Sequence, residues 1–437
     1  GRVAGSKMIG VYSLLLLLVL ILGAPYWVLR MITSGRYRAG LAGRLGRVPE
    51  SVATAGQAAR RSGQKVVWVH AVSVGEVLAA TSMILALQTA GLVVAISTTT
   101  QAGQELAKKR FPECTVFYMP LDFGVLIRRY FTALQPRLVV TMESELWPNV
   151  IRQCLRTGVP LTVVNARVSD RSFPRYMRLR RVWGPLLHEV TMFLAQSEET
   201  AERLRQMGVS ADRVKMTGNL KFDVRAGEAS AMTLRVRELL GATRLVVAGS
   251  TLAKEEQLLL AAWPKIVAAV PEVALLLAPR HTDRFAEVLA LLKQSGVAMV
   301  RCSELTSTTQ PIAGGTVLLL DTIGDLASMY SEGAVAFVGG SLVLRGGHNP
   351  LEPAQFGVPV VMGESYVNFK EIVGAMKAAD AIRIISPDEL SDAVIGLLRD
   401  RASATVMGER GRTVYEAQSG ATERTVKVLQ ELVGESQ

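Results

Sequence analysis

The residues best placed to do chemistry lie in short stretches where an apolar run gives way to a helix-period segment. In residues 70–77, HAVSVGEV, the chain turns through Ser73 and Gly75 into a helix start whose amides suit an anion, with Gly75 permitting close approach. Glu76 in the first turn is placed to serve as a base, although an acidic residue there also simply favours the helix dipole. Residues 142–149, MESELWPN, put Glu143 and Glu145 two apart beside Trp147. One carboxylate can orient a sugar hydroxyl or stabilise developing charge while the indole stacks on a pyranose. Alternatively, Glu145 caps the next helix and Trp147 belongs to the core. A Glu-x-Glu metal site lacks the neighbouring His or Asp that would support it.

Cations and glycines follow. Residues 165–173 (NARVSDRSF) and 218–223 (GNLKFD) supply Arg167, Arg171 and Lys221 for an acidic substrate group, arginine being suited to bidentate contact with carboxylate or phosphate. Ordinary surface ion pairs look the same in sequence. In the second half, APRH at 278–281 ends a strand with Pro279 and Arg280, and DTIGDL at 321–326 offers Gly324, Asp325 and Leu326 for contact with a base or phosphate. Residues 337–357, FVGGSLVLRGGHNPLEPAQFG, carry two glycine pairs and then a helix opening with Asn349 as N-cap and Pro350 as first helical residue, followed by Leu351 and Glu352. That helix start suits a nucleotide phosphate, with Glu352 in reach of ribose hydroxyls. The competing reading is a merely structural strand-turn-helix.

Such loops converge only if the strands before them run parallel with their carboxyl ends side by side. The apolar runs predict strands at 66–70, 93–97, 115–119, 138–142, 161–165, 192–196 and 214–217, with helices such as 77–89 and 104–109 between them. The Ser/Ala/Gly/Gln-rich residues 51–64 read as a link, and 223–240 as an interdomain connection leading into a helix. The pattern then restarts, with strands at 245–248, 273–278, 298–301, 317–321, 335–338 and 358–362. Two parallel α/β domains facing a central cleft are expected, divided as 1–50, 51–228 and 229–437, the last helix being a candidate to pack back on the first domain.

Residues 8–29 carry no charge and would extend roughly 33 Å as a helix, at about 1.5 Å per residue, enough to cross a bilayer. A cleaved signal peptide is the alternative, but the run is long for one and no A-x-A-like site follows. Arg2 and Lys7 precede it, while Arg30, Arg36, Arg38, Arg44 and Arg47 follow, which predicts a cytoplasmic body; Tyr26 and Trp27 suit an interfacial belt. The same arginines suit anionic head groups. With 49 Lys+Arg against 38 Asp+Glu the chain carries +11, pointing to anionic partners. Cys114, Cys154 and Cys302 show no CxxC spacing, and His70, His188, His281 and His348 form no HxH or HExxH pattern, so neither a disulfide framework nor a zinc site is indicated. The absence of GxxxxGK[ST] and of an early GxGxxG argues against an NTPase and a dehydrogenase. Basic residues are not interleaved with aromatics, which argues against nucleic acid.

Taken in order, SVGE, ESELWPN, NARVSDRS, GNLKFD, APRH, FVGGSLVLRGGHNPLEPA and the NFK at 368–370 resemble the 3-deoxy-D-manno-octulosonic acid (Kdo) transferases that add Kdo to the lipid A precursor. The resemblance covers nearly the whole chain and implies a GT-B fold of two Rossmann-like domains, with an acceptor domain at 51–228 and a CMP-Kdo domain at 229–437. It implies an inner-membrane enzyme, acting on the cytoplasmic face, that inverts at the anomeric carbon. No metal or cofactor is expected, and the acceptor is the 6′-hydroxyl of the tetraacyl precursor, lipid IVA. By resemblance Glu76 is the general base. Glu143 or Glu145 and Lys221 act near the transition state, and Pro279, Arg280, residues 324–326 and residues 349–352 hold CMP. Ser73, Gly75, Arg167 and Arg171 are the expected substrate contacts. Two departures stand out: where the family commonly has STHxGEE, this chain reads STLAKEE at 250–256, Leu252 and Lys254 replacing His and Gly, and Asp325 stands where Glu is frequent. A transferase using a UDP-sugar, or a nucleotide- or lipid-sensing protein without turnover, remains open on the residues alone, as does the number of Kdo residues added.

Overall fold

Runs of Val, Ile and Leu that are apolar at consecutive positions suit strands covered on both faces, the condition of a parallel sheet. The computed structural model describes residues 2–34, 39–223, 227–306 and 309–435. It divides into two units, Gly1–Asp223 with Gly420–Gln437, and Val224–Ser419.

The first unit holds β1 (Val66–His70), β2 (Val93–Thr98), β3 (Thr115–Tyr118), β4 (Leu138–Met142), β5 (Leu161–Ala166), β6 (Met192–Ala195) and β7 (Val214–Met216). They form one parallel sheet in the order β3-β2-β1-β4-β5-β6-β7. The connections run outward from β1 through β2 to β3, then resume from β4 in the other direction. Loops after β1 and β4 therefore flank the switch point where open α/β sheets bind ligands. Trp68, Val139 and Val163 fill one face of the sheet, and Val67, Val69, Val140 and Val164 the other.

The second unit repeats the plan with β8 (Arg244–Thr251), β9 (Val273–Pro279), β10 (Met299–Arg301), β11 (Val317–Leu319), β12 (Gly333–Val338), β13 (Val360–Gly363) and β14 (Ile382–Ile385). Their order is β10-β11-β9-β8-β12-β13-β14, all parallel, with the switch between β8 and β12. The loops following those two strands carry residues 250–256 and the paired glycines.

Several expectations need correction. The stretch at 51–64 is not a link: Glu50–Ser62 is a helix with Val52, Gly56 and Ala59 buried. Its small residues allow close packing, and a Cβ on Gly56 would stand 1.9 Å from the Ala133 carbonyl oxygen. The helix expected at 77–89 is two, Val74–Ala79 and Thr81–Thr89. Strand β14 was not foreseen. The helix expected to open at Pro350 is the single turn Leu351–Ala354.

The N-terminal apolar segment is the helix Arg2–Ser34, within which Ile9–Thr33 is long and apolar enough to cross a membrane, with mean hydropathy 2.2. Most of it is open, Leu22 being 73% exposed, but it also touches the helices Pro148–Thr157 and Arg180–Leu187 of the first unit. Ile9 joins that unit's core, and Asn149 Nδ2 donates to Ser13 Oγ at 3.1 Å. Of the flanking arginines, Arg36 and Arg38 lie outside the described residues. Arg30 lies over the Tyr26 ring, and Arg44, expected free for head groups, donates to the Thr99 carbonyl and stacks 4.5 Å from the Tyr118 centroid.

Candidate active site

At the first switch point the loop after β1 brings Ser73 to the N-cap position and Glu76 into the first turn of Val74–Ala79. Glu76 Oε2 accepts the Val72 backbone N–H at 2.8 Å, and Ser73 Oγ donates to Oε1 at 3.4 Å. The expected anion cradle is thus partly used by the protein's own carboxylate, and the helix behind it is only six residues long. Gly75 leaves open space, since a Cβ there would meet only Ser73 Oγ at 3.9 Å. Burial drives Glu76 up to about 7; the Val72 and Ser73 bonds oppose this, and the charges of Glu145 and Glu143 add to it.

Those two carboxylates come from the loop after β4. Glu143 adopts φ 57°, a left-handed conformation that costs a non-glycine residue about 1 kcal/mol or more and turns the chain sharply at the strand end. Its Oε1 accepts from Lys221 Nζ at 2.6 Å. Lys221 is delivered there by Asn165, whose Oδ1 accepts the Leu220 N–H at 3.0 Å. Burial raises the pKa of Glu145 as well, while Trp147 Nε1–H, donating to Oε2 at 3.1 Å, lowers it. Glu145 does not cap the following helix. That role falls to Asp122, whose Oδ2 accepts the Asn149 N–H at 3.0 Å. Burial lifts Asp122 to about 6, the bonds from Asn149 pulling the other way. Trp147 is half-buried against the core, with its ring edge-on to His70 at 5.3 Å.

Glu76, Glu143, Glu145 and Lys221 therefore form one cluster of three carboxylates and one cation. Arg167 and Arg171 are exposed beside it in sequence; Arg167 takes part through its backbone N–H, which donates to the Glu143 carbonyl at 3.3 Å.

In the second unit, Ser250 (φ 55°) and Lys254 (φ 81°) are both left-handed as the chain leaves β8. The left-handed backbone at Lys254 is one that glycine adopts without strain. Glu255, fully buried, accepts the amides of Leu252 (2.9 Å), Gly340 (2.7 Å), Ser341 (2.9 Å) and Leu342 (2.9 Å). Glu256 accepts both Arg284 Nη atoms at 2.8 and 3.2 Å and the Thr251 hydroxyl at 2.8 Å. Of the first glycine pair, Gly340 thus gives its amide to Glu255 and Gly339 gives its own to the Gly249 carbonyl at 2.9 Å, so both are occupied from within; the role of Glu255 was not expected from the sequence. Its only signal was an adjacent acidic pair just after a strand.

Arg280 follows β9, its backbone N–H on the Thr251 carbonyl at 3.0 Å and its side chain exposed; Pro279 is the buried last residue of that strand. Arg280 acts electrostatically on Glu352, whose carboxyl burial pushes up, and on His348, which burial holds down at about 4. Asn349 stands one residue before Pro350, which takes the N-cap position expected of Asn349, and its Oδ1 accepts the Leu351 N–H at 3.0 Å. That amide is consequently not free for a phosphate. Gly324 (φ 93°) turns the chain in open space, Asp325 accepts from the Thr322 hydroxyl, and Leu326 starts the turn Leu326–Met329.

A family model described as 3-deoxy-D-manno-octulosonic-acid transferase (kdotransferase) matches residues 39–224. The chain is similar to the 3-deoxy-D-manno-octulosonic acid transferase of Haemophilus influenzae, 34% identical over 370 residues, covering 83% of this chain and 86% of the relative. The Bordetella pertussis transferase of the same description is 36% identical over 381 residues, covering 84% and 87%. Among solved structures, a putative UDP-N-acetylglucosamine 2-epimerase from Listeria monocytogenes shares the fold at 15% identity and a TM-score of 0.50, covering 86% of this chain and 98% of that one.

Proposed function

The chain belongs to the 3-deoxy-D-manno-octulosonic acid (Kdo) transferase family and is a glycosyltransferase, and on that premise we propose that it moves Kdo from CMP-Kdo to the 6′-hydroxyl of the tetraacyl lipid A precursor, lipid IVA, in lipopolysaccharide biosynthesis. The observation that carries this reading is the carboxylate cluster at the first switch point, in which Glu76 holds its proton up to about pH 7. In the proposed step a lone pair of the acceptor hydroxyl oxygen forms the new bond to the anomeric carbon as the bond to CMP breaks. Glu76 takes the hydroxyl proton, CMP leaves with the bonding electrons, and the configuration inverts.

The site residues are assigned in two sets. Glu143, Glu145 and Lys221 stabilise charge near the reacting hydroxyl, and Ser73, Gly75, Arg167 and Arg171 meet the acceptor's acidic groups. Lys221 already neutralises Glu143, which supports a metal-independent reaction in which no divalent ion bridges the carboxylates. Pro279, Arg280, Gly324, Asp325, Leu326, Asn349, Pro350, Leu351 and Glu352 line the donor nucleotide's site, so that the first unit serves the acceptor and the second the donor, the expected donor span 229–437 being shortened by the C-terminal return to the first unit. The apolar helix holds the enzyme on the inner membrane with its body at the cytoplasmic face, and the excess positive charge suits two anionic substrates.

The test is purified protein in detergent with CMP-Kdo and a tetraacyl bisphosphate acceptor, with and without excess EDTA. Mass spectrometry should find a Kdo-lipid under both conditions and count its Kdo residues. No product in either would sink the proposal, and loss in EDTA restored by a divalent ion would overturn its metal-free form.

A further inference from the structure

His70 ends β1 immediately before the loop carrying Glu76, and its imidazole is 1% exposed. Its Nδ1 lies 2.9 Å from Ser97 Oγ and 3.2 Å from the Ser97 carbonyl, and Ser97 Oγ also accepts Trp68 Nε1–H at 2.8 Å. The ring is held from the core side by Ser97, which Trp68 holds in turn. Its other nitrogen, Nε2, has no hydrogen-bond partner among the described residues, and the ring stands edge-on to Trp147 at an interplanar angle of 84°. Trp147 in turn donates its indole N–H to Glu145. A continuous line of contacts thus runs from Trp68 through Ser97, His70 and Trp147 to the carboxylate whose charge bears on Glu76.

We propose that His70 and Trp147 are positioning residues for the transfer reaction, fixing where the Glu145 carboxylate stands in the cluster that contains Glu76. The inference rests on the reading of Glu76 as the base. Neither residue touches the reacting atoms in this role; both act through Glu145. Burial keeps His70 neutral, with a pKa of about 4, so its part is geometric and not a change of charge. The charged groups facing Glu76 are Glu145 and Glu143, the latter compensated by Lys221, while Tyr176 faces Glu145. With the indole N–H removed, Glu145 is freer to move and holds its own proton more readily, so less negative charge stands toward Glu76. The proton affinity of Glu76 should then fall.

The measurement is the pH dependence of kcat/KM with CMP-Kdo and the lipid acceptor. The wild type should lose activity as pH falls through about 7, where Glu76 takes up its proton. Trp147→Phe keeps a ring against His70 but lacks the N–H, and His70→Phe keeps a ring but lacks the Ser97 bond. Both should move this acid limb to lower pH, on the order of half a unit, as should Glu145→Gln. In the Glu145→Gln background, Trp147→Phe should produce no further movement. Variants that slow the reaction while leaving the limb in place would overturn the proposal, as would a Trp147→Phe shift that persists without Glu145. Thermal melts identify any variant that is misfolded; Trp147→Phe, at a position only half-buried against the core, then decides. A wild-type profile with no acid limb, or a Glu76→Gln variant with full rate, would instead overturn the assignment of the base.

Discussion

A carboxyl near pH 7 is a useful base because it is strong enough to attract a proton yet still ionised in a large fraction of molecules. Glu76 reaches that range mainly through burial, and two neighbouring carboxylates lift it further. Glu76→Gln preserves shape and should lower kcat by about 10²- to 10⁴-fold. CMP affinity by calorimetry should stay unchanged, because Glu76 has no part in the donor's assigned contacts; a parallel loss of CMP binding would count against this division of roles. Lys221 makes the opposite test to Trp147. Lys221→Met removes the cation that offsets Glu143 and leaves more negative charge facing Glu76. The acid limb of kcat/KM should move to higher pH, with activity already falling at neutrality. A limb that stays put would mean that Lys221 does not reach the base electrostatically. Lys254 carries a third expectation: at φ 81° a lysine is strained where glycine is not. Lys254→Gly should raise the denaturation midpoint by an amount equivalent to about 1 kcal/mol.

At the scale of elements, the glycine-rich loop after β12 is organised by one buried carboxylate. Glu255 satisfies four backbone amides, three of them consecutive, and a glutamine there would turn a donor toward one or more of them. Breaking such charge-assisted bonds costs about 1.5 to 3 kcal/mol apiece. Glu255→Gln should therefore loosen residues 339–347, read as faster amide exchange there than in β13, and weaken CMP binding. Unchanged exchange would show that the glycine loop stands without Glu255. The strands before these loops were legible because β-branched runs of five or six residues, such as Val66–His70, have few other uses. Strand β14 was not, because its four residues include the exposed Arg383 at the sheet edge and follow a helix with little punctuation. The helix Glu50–Ser62 was misread because alanine, glycine and serine are also a linker's composition; what makes it a helix is its fit against the chain at Ala133, a contact absent from any local pattern. In the site itself, the positions of Glu76 and Glu143 at strand ends were readable, but their partners were not. Lys221 meets Glu143 across 78 residues of sequence, and Glu255 reaches Gly340 across 85.

For the whole molecule, continuity along the chain and membership of a folded unit differ at the C-terminus. The helix Ala421–Glu435 counts with the first unit, where it packs on Thr81–Thr89 and places Ala421, Val426, Val428, Leu429 and Val433 in the core. The chain leaves this unit after Asp223 and re-enters at Gly420, and the two points are fastened together. Asp223 accepts the Gly420 and Thr422 amides at 2.8 and 2.6 Å, and Arg424 Nε donates to the Thr217 carbonyl at 3.0 Å. Burying several aliphatic side chains is worth about 1.5 to 3 kcal/mol each, so the helix contributes an amount comparable to the net stability of a domain. Its opening should therefore belong to the unfolding of the first unit. In native-state hydrogen exchange of the intact protein with added denaturant, amides of Ala421–Glu435 should merge with those of Thr81–Thr89 and β1, at one free energy and one denaturant slope. Asp223→Ala, which strips two amides of their acceptor, should lower that shared free energy by about 1 to 3 kcal/mol and leave the isotherms of β8 and β12 in place. Exchange of the helix in step with β8 and β12 would assign it to the second unit. Exchange far below both groups would mean that its buried residues contribute little to holding it down, and that the first unit's site is stable without its C-terminal return.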